Sequence, residues 1–283
     1  MLPRDIEPQI EALFDHPPAR YTSEHFLLFQ AFKDALNRGE ARAAEPDGSA
    51  KTGWRVNAWV KKGILLGFRM GAIVDMSIDR AKQPFFDKST FPARAFSAES
   101  GVRIVPGGSS IRDGCYVARG VICVPPMFIN AGAYVGEDTL IDSHALVGSC
   151  AQVGRKCHIS AAAQLGGVLE PVGALPVIIE DEVLVGGNCG VYEGTVVKRG
   201  AVLGTGTILN ASTPVYDLVR DATYSAGDDA PLMIPENAIV VPGSRAVTHL
   251  AGRKWGLSLQ AAVIVKYRDS KTEGRVKLED LLR

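Results

Sequence analysis

A period of six constrains this chain more than any other feature. Counting every sixth residue from Ile111 gives Val117, Cys123, Ile129, Val135, Ile141, Val147, Val153, Ile159 and Leu165. Restarting at Ile179 gives Val185, Val191, Val197, Leu203 and Leu209. Sixteen positions hold fifteen aliphatics and one cysteine, an outcome on the order of one in a million by chance. Four residues after each comes a second, smaller slot: Cys115, Val121, Ala133, Thr139, Ala145, Ala151, Cys157, Ala163, Val183, Cys189, Thr195, Ala201, Thr207 and Thr213, with Met127 and Leu169 as its large occupants.

An extended strand alternates faces every two residues, so it cannot send one residue in six inward by itself. A short strand followed by a sharp turn can, if each hexad forms one side of a prism. Three hexads then make one coil, and successive coils stack as parallel strands about 4.8 Å apart. The large aliphatic and the small residue fill a narrow interior. The predicted class is therefore mainly β: a left-handed parallel β-helix of hexapeptide repeats, with an N-terminal helical domain and a small C-terminal β/α cap. The cysteines in or near the slots read as small buried groups. Cys150 lies outside both slots, where a structural role and partial exposure are both open.

The flanks differ in texture. Residues 1–100 read as mainly helical: Ile6, Ile10, Leu13 and Phe14 recur at helical spacing, Thr22 or Ser23 caps a run through Phe26–Leu36, and Trp54–Phe68 reads as helix. The solenoid is assigned to 101–245 and the cap to 246–283, with a β-like run over 261–267 and a terminal helix in LEDLLR. Leu165 to Ile179 spans 14 residues where 12 keep frame, so 166–177 is expected to bulge out as a loop. Loops on a rigid solenoid are where function concentrates.

Composition narrows the partners. Lys+Arg and Asp+Glu balance at 31 each, which argues against a nucleic-acid protein relying on bulk positive charge, and 46% hydrophobic residues exclude a disordered chain. No apolar stretch is long enough for a membrane helix, and the amino terminus is unlike a signal peptide. Five cysteines, an odd number, point to a reducing compartment and a cytoplasmic location.

Residues 18 apart stack on one edge of the prism. With the loop absorbing two residues, one edge reads Asn130, Gly148, Gly166, Gly186, Gly204, and the next position reads Ser149, Gly167, Gly187, Thr205. Two readings of this bare corner stand side by side: glycines that adopt positive φ cheaply, and a smooth track offering backbone N–H groups to a long thin ligand. A neighbouring corner carries Asp142, Ser160, Glu180 and Lys198. A carboxylate fixed on a rigid coil can hold and deprotonate an amine, or simply cap its own turn. His144 points outward by the same frame, as a solvated group or a base.

The run FINAGAYVGEDTLIDSHALVGSCAQVGRKCHISAAAQLGGVLEP, residues 128–171, resembles the tetrahydrodipicolinate N-succinyltransferases of lysine and diaminopimelate synthesis. WVKKGILLGFR, GVRIVPG and the tail AAVIVKYRDSKTEGRVKLEDLLR extend the likeness over nearly the whole chain. The resemblance implies a homotrimer with active sites in clefts between subunits. The implied reaction moves a succinyl group from succinyl-CoA, a co-substrate and not a resident cofactor, to the amino group of a ring-opening cyclic imine dicarboxylate. It puts the family's acidic residue on Asp142, its substrate-carboxylate arginine on Arg103, and a substrate contact on His144, where some members have tryptophan. The acyl-CoA arm is implied along Ala161, Gln164, Gly187, Gly204, Thr205 and Ser212, with the Gly167 N–H in the oxyanion role. One branch has Arg-Ser-Glu where this chain has Asn188-Cys189-Gly190, and another a similar Asn-Ser-Gly. The glutamate position is thus Gly190 here, leaving Asp142 as chief acid and Glu193 as a weaker substitute.

Three other readings compete. An acetyl-CoA-dependent enzyme would keep the fold and change the donor. A metal enzyme of the carbonic-anhydrase kind would need three converging histidines; only His144 and His158 lie in the repeat, on different corners by the frame above, so no metal is expected. A scaffolding solenoid would bind no ligand in the bare corner.

Overall fold

The computed structural model describes residues 3–227 and 230–268. Three parallel sheets wrap one interior, each built from two-residue strands. The first face begins Arg103–Ile104, Ile122–Cys123, Leu140–Ile141, His158–Ile159, Leu184–Val185, Val202–Leu203. The second runs Ser110–Ile111, Phe128–Ile129, Leu146–Val147, Gln164–Leu165, Gly190–Val191, Ile208–Leu209. The third runs Tyr116–Val117, Tyr134–Val135, Gln152–Val153, Ile178–Ile179, Val196–Val197, Met233–Ile234. The second residue of each pair within the repeat is the aliphatic or cysteine of the period, and these residues form one buried core with the small slots. The fold is a left-handed parallel β-helix.

The inserted loop sets the register, and here the expectation from spacing is corrected. Val153 pairs with Ile179 and Leu165 with Val191. Leu165 to Ile179 therefore covers one side of the prism in 14 residues (179 − 165) where six suffice, an excess of eight. Counting in sixes cannot separate an excess of two across two sides from an excess of eight across one, because both preserve the hydrophobic frame. The consequence is a rotation of the upper coils by one side. Gly148 and Gly166 stack on the corner after the second face, below Tyr192; Gly186 and Gly204 stack on the corner after the first face, above Asp142 and Ser160. The single glycine column does not exist.

Nor do those four glycines take positive φ. The left-handed residue comes two positions later in each turn, as in His144 (φ 62), Cys150 (φ 68), Ala162 (φ 58) and Asn188 (φ 56). Glycine at the first corner position answers to stacking instead. A Cβ on Gly186 would lie 2.5 Å from the Leu203 oxygen and 2.8 Å from the Thr205 nitrogen.

The N-terminal region holds helices α1 (Pro3–Asp15), α2 (Ser23–Asn37, with Thr22 at its N-cap) and α3 (Ala58–Met70). Trp54–Val56 is a strand paired with Ala44–Pro46, so the expected helix starts only after Asn57. Helix α3 approaches α2 closely because Gly63 and Gly67 leave room for the rings of Phe32 and Phe29. Ile6, Ile10, Val60 and Ile64 complete this core, which also takes in Ala131 and Cys150 from the solenoid. Cys150 is thus fully buried, which settles it as structural, because the helical layer covers its corner. A second tie is the Lys33–Asp113 ion pair at 2.7 Å, with Asn37 also donating to Asp113. Burial pushes the Asp113 carboxyl up, but those hydrogen bonds outweigh it and hold it below the usual range.

At the other end Ala238–Ala246 continues the first face beside Val202–Leu203, and Ser258–Tyr267 folds back antiparallel to it. Val215–Asp217 then adds a further strand, itself in a hairpin with Ala222–Tyr224. Val215, Ala262 and Ile264 extend the core, so on the first face the last coil's edge is paired and not left open. A short helix α4 (Leu250–Lys254) connects Ala238–Ala246 to Ser258–Tyr267. The expected terminal helix LEDLLR lies outside the described residues.

Candidate active site: one corner of the prism

Corrected register gathers most of the candidate residues on the corner between the first and second faces. Asp142, Ser160, Gly186 and Gly204 occupy its first position on successive coils, and Ser143, Ala161, Gly187 and Thr205 its second. His144 ends the turn after Asp142 and is exposed. At the second position the backbone N–H groups of Ala161, Gly187 and Thr205 have no hydrogen-bond partner among the described residues, whereas that of Ser143 donates to Asp142 Oδ1 at 2.7 Å. The corner therefore presents a stack of outward N–H donors rising from one carboxylate, with adjacent coils about 4.8 Å apart. Gly186 and Gly204 keep side chains out of its way.

The flanking residues extend this surface. Gln164, on the second face one coil above His144, donates from Nε2 to the backbone oxygens of His144 at 3.1 Å and Ala162 at 3.2 Å. Arg103 is exposed on the first face, two coils below Asp142 in the column Arg103, Ile122, Leu140. His158 is next in that column, and its Nε2 stands 3.9 Å from Asp142 Oδ2. Sequence reasoning weighed His158 only as a metal ligand and placed it on another corner from His144. In fact the two histidines flank the Asp142 corner. Stacking by 18, applied to the residue before the inward aliphatic, would have found it. Among the described residues no three His, Cys, Asp or Glu side chains converge as a metal site.

Two candidates lie elsewhere. Gly167 and Ser212 belong to the corner after the second face, with Ser149 and Glu193. The whole second face separates them from Asp142 within one chain. Gly167 is nevertheless suited to donate: it is exposed, and its N–H has no partner among the described residues. Glu193 is engaged, its Oε2 accepting from the Ala211 N–H at 2.8 Å. At Gly190 the Tyr192 ring fills the space a side chain would take, so the ring replaces any carboxylate there.

Two clefts stand out among the described residues, and Asp142 lines neither. One cleft of about 530 Å³ lies between the Trp54 hairpin and the third face, lined by Arg42, Tyr134 and Glu180. Another of about 570 Å³ lies behind the inserted loop, lined by Pro171, Leu175 and Glu193. The Asp142 side chain, outside both, is 30% exposed.

Comparison with known proteins supplies the family. Residues 5–70 match the model for the N-terminal domain of tetrahydrodipicolinate N-succinyltransferase, and 176–211 the model for the hexapeptide repeat of succinyl-transferase. The 2,3,4,5-tetrahydropyridine-2,6-dicarboxylate N-succinyltransferase of Methylorubrum extorquens is 38% identical over 286 residues, covering 99% of this chain and 98% of its own. Those of Afipia carboxidovorans (40% over 254 residues, 88% and 87%) and Xylella fastidiosa (41% over 256 residues, 88% and 86%) bear the same name. This chain belongs to the tetrahydrodipicolinate N-succinyltransferase family.

Proposed function

We propose that the chain transfers the succinyl group of succinyl-CoA to the amino group of ring-opened tetrahydrodipicolinate by direct attack in a ternary complex. The observation that carries this reading is the Asp142 corner, a single carboxylate at the foot of a stack of unpaired backbone N–H groups. Pantetheine is long, thin and carries amide carbonyls, which such donors suit. Gly187, Gly204 and Thr205 line its path with Ala161 and Gln164 below.

Asp142 orients the amine and takes its proton as nitrogen attacks the thioester carbon. The Gly167 N–H of a neighbouring copy donates to the oxygen as it becomes an oxyanion. The carbon–sulfur bond then breaks, and the proton passes from Asp142 to the leaving thiolate. Arg103 meets a substrate carboxylate with its planar pair of donors, His144 borders the amine, and Ser212 contacts the CoA arm on the Gly167 corner. Because Asp142 and Gly167 lie on opposite edges of the second face, the working unit is a homotrimer with a site at each interface. Dependence on acyl-CoA fits a cytoplasmic enzyme, and no described helix is long and apolar enough to cross a membrane.

Asp142→Asn keeps the turn bond to Ser143 and removes the base. Turnover should fall about 100- to 10,000-fold while CoA affinity stays near normal. Near-normal turnover would remove Asp142 from this role. Assaying succinyl-CoA beside acetyl-CoA tests the donor.

A further inference from the structure

We propose that His158 is a positioning residue for the amine-transfer step, acting through the second oxygen of Asp142. This rests on the reading of Asp142 as the base. The two carboxylate oxygens are treated differently. Oδ1 accepts the Ser143 N–H at 2.7 Å and is fixed to its own turn. Oδ2 faces His158 Nε2 at 3.9 Å, with the two side chains only 30% and 17% exposed.

The spacing is set by the solenoid and not by a chance side-chain pose. Leu140 pairs with His158, and the Asp142 N–H donates to the Ile159 oxygen at 2.9 Å. The imidazole therefore rides one coil above the carboxylate at a height the ladder fixes. A gap of this size closes to a hydrogen bond with small rotations of either side chain, and catalytic contacts commonly tighten when substrate arrives. With Oδ1 on Ser143 and Oδ2 on the His158 N–H, the carboxylate plane is locked, and a remaining lone pair of the two is free to face the amine. A carboxylate held by one oxygen alone would spend part of its time turned away from the nucleophile.

The test is a kcat and KM comparison in the full-length enzyme. His158→Phe keeps the ring and loses the donor; His158→Gln restores an amide donor near the Nε2 position. Expected for Phe is a drop in kcat of about 10- to 100-fold with KM for both substrates within about twofold, and for Gln a recovery of at least several-fold. In an Asp142→Asn background His158→Phe should cost nothing further, because the residue it positions is already gone. Wild-type kcat in the Phe variant overturns the proposal, as do a loss confined to KM, no recovery in Gln, or an undiminished loss in the double variant. Should Phe fail to fold, His158→Asn, too short to reach Oδ2, takes its place. The Asp142→Asn single variant reports separately on the base: if it stays active, the parent reading fails whatever His158 does.

Discussion

The ammonium of Lys61 donates to the backbone oxygen of Ala174 at 2.5 Å, tying helix α3 to the inserted loop that carries Gly167. Lys61 is fully buried, and burial lowers its pKa, with Cys150 partly opposing. The folded pKa thus lies below the unfolded one. Between the two values the unfolded chain binds the extra proton, so stability should rise with pH in that window. Below it the contribution is flat. Denaturation from pH 7 to 10 should show wild type gaining on Lys61→Met as pH rises, and amides of 166–177 should exchange faster in the variant. A pH-independent difference would mean the ammonium is well solvated.

Two adjacent glycines should answer differently to a methyl group. Gly186→Ala drives Cβ into the backbone of the next coil, at 2.5 Å from the Leu203 oxygen, and neither partner can move without breaking the ladder. Overpacking of this kind costs about 1–3 kcal/mol. Gly187→Ala meets only the Ala161 oxygen at 3.3 Å. Its stability cost should stay under about 1 kcal/mol, but the methyl intrudes on the N–H track. Thermal unfolding should single out the first variant, and equilibrium CoA binding the second. Equal stability losses would contradict the stacking account.

The interior of the solenoid was legible because its period depends on local geometry: each coil side needs one inward aliphatic, whatever surrounds it. Register was not, because the frame is blind to which side of the prism an insertion occupies. That is why Gly166 and Gly186 look stacked in the sequence and stand on different corners in the fold. Correcting it places Gly186 and Gly204 above Asp142 and leaves Gly167 one face away, above Ser149. Cys150 was left open for another reason. Its burial comes from Ile64 and its neighbours in a different domain, and no repeat encodes that contact. His158 lay in plain view of the 18-residue rule but was weighed for metal chemistry instead.

All five cysteines are buried. Desolvation pushes the thiols of Cys115, Cys123, Cys150 and Cys157 up to about 12, and raises Cys189 as well. At pH 8 essentially no thiolate is present to react. Native protein should therefore resist a thiol-specific reagent and keep its activity, while denatured protein should titrate all five. Rapid modification of any one in the native state would reveal local opening of that coil.

The separation of Asp142 and Gly167 by the second face makes the proposed composite site, and the proposed homotrimer, testable by mixing. Asp142→Asn trimers lack the base in every site. Gly167→Ala places a Cβ 2.8 Å from the Ser149 nitrogen, which forces the loop outward and displaces the oxyanion donor. Each homotrimer alone should be nearly inactive. When equal amounts are unfolded and refolded together, a site is intact only if its base comes from a Gly167→Ala chain and its donor from an Asp142→Asn chain. Random assembly gives that combination in about one quarter of sites, so activity should recover to about 25% of wild type. If both groups instead served one chain, no mixture could join an intact base to an intact donor. Activity would then stay at the level of the separate variants, and the interfacial site would have to be abandoned.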